Sequence, residues 1–261
     1  MRRLLVISGA GMSTESGIRT FRTDTSSGKA LWEEYDLEEV CNIHAFRGNF
    51  YHKTHEFYNK RREELKTVHP NMAHLRVAEW YNRYPGQVRN LTTNVDDLLE
   101  RAGIPKKDIL HVHGFLKEIV VQNGEEFPKR VMDVGYTSVD PDDYWWCKPN
   151  VVFFGENALL YQDMFTMLDD LNTQDLVLLV GCSNQVIDFN WELLHAIAKR
   201  GIKLVVINPA INYFEQEQYD KFGVYQMRCG AVEAFSNPKL IELVENHLEG
   251  KHVVTSEDFN A

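Results

Sequence analysis

The stretch Leu4-Leu5-Val6-Ile7-Ser8-Gly9-Ala10-Gly11-Met12-Ser13 decides the reading of the fold. Its apolar run is too continuous for a strand with one wet face, so both faces are expected to be covered. Glycines directly after a buried strand permit a tight turn and let backbone N–H groups approach a diphosphate. Similar runs at 151–154, 176–180 and 204–207, with Val88–Thr92 as a fifth, read as further buried strands. Between them, helical patterns occupy 50–65, 71–81, 95–101, 161–170, 190–200 and 239–248. Strand alternating with helix predicts an α/β, doubly wound, mostly parallel sheet, with ligands at the carboxyl ends of its strands.

Two segments break the alternation. Residues 19–75 are helical, charged and aromatic, and 115–148 carry Gly, Pro and Asp with weak periodicity. Both read as insertions forming a smaller lobe, the second with a core built on Tyr144, Trp145 and Trp146. At 261 residues the chain is long enough for one large domain with an insertion. With 28 Lys+Arg against 38 Asp+Glu, it is a poor general binder of nucleic acid, whose affinity rests on phosphate attraction. No apolar run approaches the ~20 residues of a membrane span, and the short apolar start reads as a strand rather than a signal peptide. Cys41, Cys147, Cys182 and Cys229 are far apart in sequence. They predict free thiols in a cytoplasmic protein and give no zinc-ribbon spacing. Nothing in the sequence fixes the oligomeric state.

The glycine turn alone is a weak fingerprint. Thr14 stands where a dinucleotide motif has its third glycine, and no strand ends in an acidic residue ~20 positions on. There is no P-loop lysine. The turn continues, however, as Thr14-Glu15-Ser16-Gly17-Ile18-Arg19-Thr20-Phe21-Arg22. Thr92-Thr93-Asn94-Val95-Asp96, His113-Gly114, Val151-Val152-Phe153-Phe154-Gly155-Glu156, Gly181-Cys182-Ser183, Ile207-Asn208 and Cys229-Gly230-Ala231 follow in order. This ordered set, spanning about residues 4–235, resembles the sirtuin (Sir2) family of NAD-dependent protein deacylases. The resemblance implies a Rossmann-like catalytic domain over 1–250. Its large lobe would comprise 1–20, 76–114 and 151–250, its small lobe 21–75 and 115–150, with a tail at 251–261.

It also implies a reaction. The bond between nicotinamide and the ribose breaks, and the acyl group of an acyl-lysine protein or peptide passes to ADP-ribose. His113 is the candidate base, since an imidazole with a pKa near ~6.5 suits proton transfer at neutral pH. His111 is expected to point away. Asn94 is a second catalytic candidate. It and Asp96 are expected at the nicotinamide and ribose, although either could instead cap the following helix. Gly9, Ala10, Gly11, Ser13, Phe21, Arg22, Gly181, Ser183, Asn208 and Ala231 are the other candidate NAD contacts. Val152, Phe153 and Gly155 are candidates for pairing with a peptide as an added strand. No metal is expected.

The stretch Phe57-Tyr58-Asn59-Lys60-Arg61-Arg62, with Pro70-Asn71-Met72-Ala73-His74 after it, looks like sirtuins that remove acidic acyl groups. Residues three apart share a helix face, so Tyr58 and Arg61 can converge on one carboxylate; a solvated charged face is the plainer alternative. Three departures from the family stand out. Ile-Pro-Asp-Phe-Arg becomes Ile18-Arg19-Thr20-Phe21-Arg22, Thr-Gln-Asn becomes Thr92-Thr93-Asn94, and the four-cysteine zinc module is absent. They leave ADP-ribosyl transfer or NAD hydrolysis on the same fold as the alternative activity, with a non-catalytic NAD binder behind it.

Overall fold

The structure is a computed structural model describing residues 1–18 and 35–251. Arg19, Thr20, Phe21 and Arg22 lie outside the described residues, as does most of the tail. β1 (Arg3–Ser8) runs into the single turn α1 (Ala10–Ser13). After the undescribed stretch come α2 (Leu37–Val40), α3 (Ile43–Arg47), α4 (Tyr51–Thr67) and α5 (Met72–Arg83). β2 (Val88–Thr92), α6 (Leu98–Ala102), β3 (Ile109–His111), β4 (Gly114–Gln122), β5 (Arg130–Asp133) and β6 (Trp146–Val151) follow. The remainder is α7 (Tyr161–Asp169), β7 (Asp175–Val180), α8 (Phe189–Arg200), β8 (Lys203–Ile207), α9 (Tyr213–Phe222), β9 (Tyr225–Met227), α10 (Ala231–Ser236) and α11 (Pro238–Leu248).

The main sheet is parallel with strand order β3-β2-β1-β7-β8-β9. Its apolar runs are continuous because alternate residues face two different cores. Leu4, Val6, Leu176, Leu178, Val180, Val205 and Ile207 pack toward α5, α10 and α11. Leu5, Ile7, Val177, Leu179, Leu204 and Val206 pack toward α7, α8 and α9. Capping fixes several helix starts. Asn71 and His74 form a reciprocal capping box on α5, and Asn212 with Glu215 does so on α9, which satisfies orphan amides at the N-terminus of each helix.

Strand order reverses at β1. β2 and β3 lie on one side of it and β7, β8 and β9 on the other, so a crevice opens between the carboxyl ends of β1 and β7, where open α/β sheets bind ligands. Glycines make that crevice. A Cβ on Gly9 would lie 2.7 Å from the Gly181 carbonyl oxygen, and one on Gly11 would lie 2.7 Å from the Gly181 Cα. Gly181 itself has φ +59, a conformation that favours glycine. Its carbonyl accepts from the Gly11 amide at 3.0 Å.

The small lobe corrects three expectations. The 151–154 run is not a strand of the main sheet. β6 ends at Val151 and pairs antiparallel with β4, which pairs with β5. Residues 115–151 thus fold as a three-stranded antiparallel sheet around Ile119, Val121, Val139 and Cys147. Tyr144 joins that core, Trp146 packs instead beside Phe46 on the α2–α4 cluster, and Trp145 is 57% exposed. Apolar Val151 and Phe153 are buried by α3 and α4, which a periodicity reading cannot distinguish from burial between sheet-covering helices. α5 packs wholly on the main sheet, so the lobe boundary placed at residue 75 falls inside that helix.

Candidate active site

The crevice floor is a hydrogen-bonded chain of four side chains. His74 Nδ1 meets both the Asn71 amide at 3.2 Å and Asn71 Oδ1 at 3.0 Å, and its Nε2 faces Ser13 Oγ at 3.3 Å. Ser13 in turn donates to Asp96 Oδ2 at 2.9 Å. Asn94 Nδ2 donates to Ser13 Oγ and to the Gly9 carbonyl, both at 3.1 Å. Ser13 is fully buried, and burial pushes His74 down to about 4, which keeps it neutral. Asp96 is hemmed in by protein although part of its surface meets solvent. Burial lifts its carboxyl pKa, while the Leu98 amide and the Ser13 hydroxyl favour the charged form.

The capping alternative is thereby divided. Asp96 Oδ1 accepts from the Leu98 amide at 3.1 Å, serving the start of α6. Asn94 caps nothing; its amide ties the turn after β2 to the turn after β1. α6 begins at Leu98, three residues later than the pattern suggested, because 94–97 are held by these contacts.

His113 lies in the turn between β3 and β4. Its Nδ1 faces the Thr93 carbonyl at 3.1 Å and its Nε2 faces the Tyr161 hydroxyl at 2.9 Å. A carbonyl only accepts, so Nδ1 carries the proton and Nε2 the lone pair. Burial lowers the pKa of His113, and the Thr93 carbonyl partly opposes this. Thr93, short of the family's glutamine side chain, thus orients the base through its backbone. His111 does turn away, to the Asn94 carbonyl and Glu100. In an extended strand residues two apart would share a face; the turn at Val112–His113 separates the two rings.

The Val152 amide donates to the His113 carbonyl at 2.9 Å. Val152 and exposed Gly155 flank buried Phe153, which stacks on Tyr58 with ring centroids 5.5 Å apart. Tyr58 is buried rather than solvated, and its hydroxyl donates toward Cys41 Sγ at 3.6 Å. Burial pushes the Cys41 thiol up to about 11, and the Arg61 charge draws both Cys41 and Tyr58 back. Arg61 also pairs with Glu64 at 3.1 Å. A solvated face does not describe Tyr58, whereas Arg61 keeps an ion pair along the helix.

Of the other candidates, Gly9, Ala10, Gly11 and Gly181 sit at the crevice, and Ser183 is exposed just beyond it. Asn208 donates to the Cys182 carbonyl at 2.9 Å, linking the turns after β7 and β8. Ala231 is buried in the main core, and the amide of its neighbour Val232 is taken by Glu15 at 2.8 Å. Two residues of the site escaped the sequence reading. His74 stood in a quoted motif with no role assigned, and Tyr161 was only the first residue of a helical pattern. Among the described residues, no group of three or more His, Cys, Asp or Glu could hold a metal ion, and no helix is long and apolar enough to cross a membrane.

A parallel doubly wound sheet with a glycine-lined switch point, a Ser–Asn–Asp–His network and a histidine whose carbonyl is bonded by the segment after β6 define an NAD-handling fold with an antiparallel insertion. The sequence model of the Sir2 family matches residues 9–188. An NAD-dependent protein deacylase of Helicobacter hepaticus is 37% identical over 228 residues, covering 80% of this chain and 85% of that protein. One from Helicobacter pylori strain J99 is 33% identical over 256 residues, covering 95% and 99%. Among solved structures, a Sir2 homologue mutant bound to ADP-ribose aligns with TM-score 0.74 at 26% identity, covering 95% of this chain and 92% of that one. A Sir2 homologue in complex with NAD aligns with TM-score 0.69 at 28% identity, covering 94% and 90%. The chain belongs to the Sir2 family.

Proposed function

We propose that this protein is an NAD-dependent protein-lysine deacylase. The observation that carries the reading is the placement of His113, a half-buried, neutral imidazole with an accepting Nε2, against the segment that would pair with a peptide. The crevice fits NAD. Gly9 and Gly11 bring the turn after β1 against Gly181 backbone to backbone, with no room for a Cβ between them, and Asn94, Ser13 and Asp96 present an amide, a hydroxyl and a carboxylate beside that turn. Gly9, Ala10, Gly11 and Ser183 would hold the diphosphate side, Asn208 an adenosine hydroxyl, and Asn94 and Asp96 the nicotinamide side.

NAD bound there would supply the acceptor: nicotinamide would leave the ribose carbon, the acyl amide oxygen would bond to that carbon in its place, and with one water consumed the acyl group would end on an ADP-ribose hydroxyl as the lysine amine is freed. His113 Nε2 takes a proton from a ribose hydroxyl, and the Thr93 carbonyl steadies the imidazolium through Nδ1–H. Val152 and Gly155 align the peptide backbone as an added strand, and Phe153 packs on the acyl-lysine stem. Tyr58 and Arg61 read a distal carboxylate, giving preference for acidic acyl groups such as succinyl. The substrate is a lysine-bearing protein or peptide in the cytoplasm.

Mass spectrometry on protein mixed with NAD and matched acetyl- and succinyl-lysine peptides tests this. O-acyl-ADP-ribose is expected, dependent on His113. NAD consumption without loss of the acyl group would replace the reading with ADP-ribosyl transfer or NAD hydrolysis.

A further inference from the structure

The Nε2 lone pair assigned above to the ribose hydroxyl is already occupied. Tyr161 is the first residue of α7, and its hydroxyl lies 2.9 Å from His113 Nε2. Because Nδ1 donates to the Thr93 carbonyl, Tyr161 is the donor. The phenol therefore sits where a substrate hydroxyl must sit, making the bond that hydroxyl must make. Its ring is tilted against the imidazole at 5.9 Å and is met edge-on by Phe165, one turn along α7, at 6.4 Å. Burial pushes the phenol pKa up, so it keeps its proton at neutral pH.

The chain also links Tyr161 to the peptide segment. Val152 is bonded to the His113 carbonyl, the Glu156 amide donates to the Phe153 carbonyl, and the Tyr161 amide donates to the Ala158 carbonyl at 3.1 Å. Five residues separate exposed Gly155 from Tyr161, and Leu159 among them is 84% exposed. A peptide adding to 152–155 therefore loads a short, exposed connection that ends in Tyr161.

We propose that Tyr161 is a substrate-displaced positioning residue for His113: in the resting site its hydroxyl holds the Nε2 lone pair and sets the ring, and it yields that position to the ribose hydroxyl when the acyl-peptide docks. This rests on the deacylase reading for its second half only. A donor on Nε2 favours neutral imidazole, so the resting enzyme resists protonation of its base and the loaded enzyme does not depend on Tyr161 for it. The ionisable groups on the elements around the ring are Asp96 after β2, the His111–Glu100 pair on β3 and α6, the Lys148–Glu156 pair on and after β6, and Tyr161 itself. None of the charged ones is among the causes of the His113 shift.

The test compares Tyr161→Phe with the unaltered protein. First, the His113 imidazole is titrated by NMR without NAD or peptide, its resonance assigned by its loss in His113→Ala. Losing one neutral hydrogen bond should raise its pKa by about 0.5–1 unit. Second, pH profiles are taken at saturating NAD. The acid limb of kcat/KM for the peptide, which reports the form before peptide binds, should move up by the same amount, and that of kcat should stay. Phe165→Leu, which alters packing but keeps the hydroxyl, should leave the NMR titration in place. An unmoved NMR titration in Tyr161→Phe would overturn the resting contact, as would equal movement in Phe165→Leu. A matching shift in the kcat limb would overturn the displacement. If no O-acyl-ADP-ribose forms with the unaltered protein, the deacylase reading fails and the displacement with it, while the NMR arm still decides whether Tyr161 holds the base.

Discussion

Ser13 Oγ receives the Asn94 amide at 3.1 Å and donates to Asp96 at 2.9 Å. One buried hydroxyl thus joins the turn after β1 to the turn after β2 and aligns two of the groups assigned to the nicotinamide side. Replacing it by alanine leaves the Asn94 amide and the Asp96 carboxylate each short of a partner in a buried place. Ser13→Ala should lower NAD affinity about 10-fold or more, from roughly 1–3 kcal/mol of lost satisfaction. Isothermal titration with NAD measures it, and unchanged affinity would remove the network from the binding site.

The His113 base supplies a second expectation. General-base groups contribute about 10²–10⁴-fold, so His113→Gln should reduce O-acyl-ADP-ribose formation by that order with little change in melting temperature. Because burial lowers the pKa of this imidazole, the neutral form persists below its ordinary value. The acid limb of the unaltered enzyme should therefore lie below pH ~6.5, as a pH–rate profile would show.

The interlock of Gly11 with Gly181 is a backbone contact with no flexible side chain to give way. A Cβ at Gly11 would sit 2.7 Å from the Gly181 Cα and 3.0 Å from its carbonyl oxygen. Gly11→Ala should cost about 1–3 kcal/mol by overpacking and abolish NAD-induced thermal stabilisation. Differential scanning with and without NAD separates the two effects.

Acyl selectivity should follow Arg61. Arg61→Met is expected to lower kcat/KM for a succinyl-lysine peptide by about 10²-fold through loss of a charge-assisted contact, and to leave the acetyl peptide within a few-fold. Equal loss for both peptides would mean that Arg61 supports the helix rather than the substrate.

Stability should fall in acid for an identifiable reason. His55 and His74 are both pushed by burial to about 4, below the ~6.5 of an unfolded chain. Between those values the unfolded state binds more protons, so stability rises with pH across the window and is lost as pH falls from about 6.5 toward 4. His55→Gln should flatten the melting temperature against pH there; an unchanged slope would assign the acid loss elsewhere.

The large sheet was legible because its chemistry is repetitive. The runs around Leu5 and Val177 are buried on both faces and announce it in every residue. His113, Asn94 and Gly9 were legible only through their order along the chain, since no single one differs from a surface histidine, a cap or a turn. The small antiparallel sheet was not legible. β5 exposes most of its four residues, and Val151–Phe153 reads as apolar whichever body covers it. β3 is three residues long, below the reach of any periodicity. Tyr161 faces His113 across 48 residues of chain, a relation that belongs to the folded state and leaves no local trace.

His113 stands immediately before Gly114, where the chain leaves the parallel sheet for the antiparallel one. Gly114 pairs with Val151, where the chain returns. At Gly114, φ is +92, and a Cβ would strike the Asn150 carbonyl oxygen. The two strand crossings are thus laced together beside the base. The imidazole beside this seam is bonded through Nδ1 to the Thr93 carbonyl just after β2, so the base is held in register with both sheets at once.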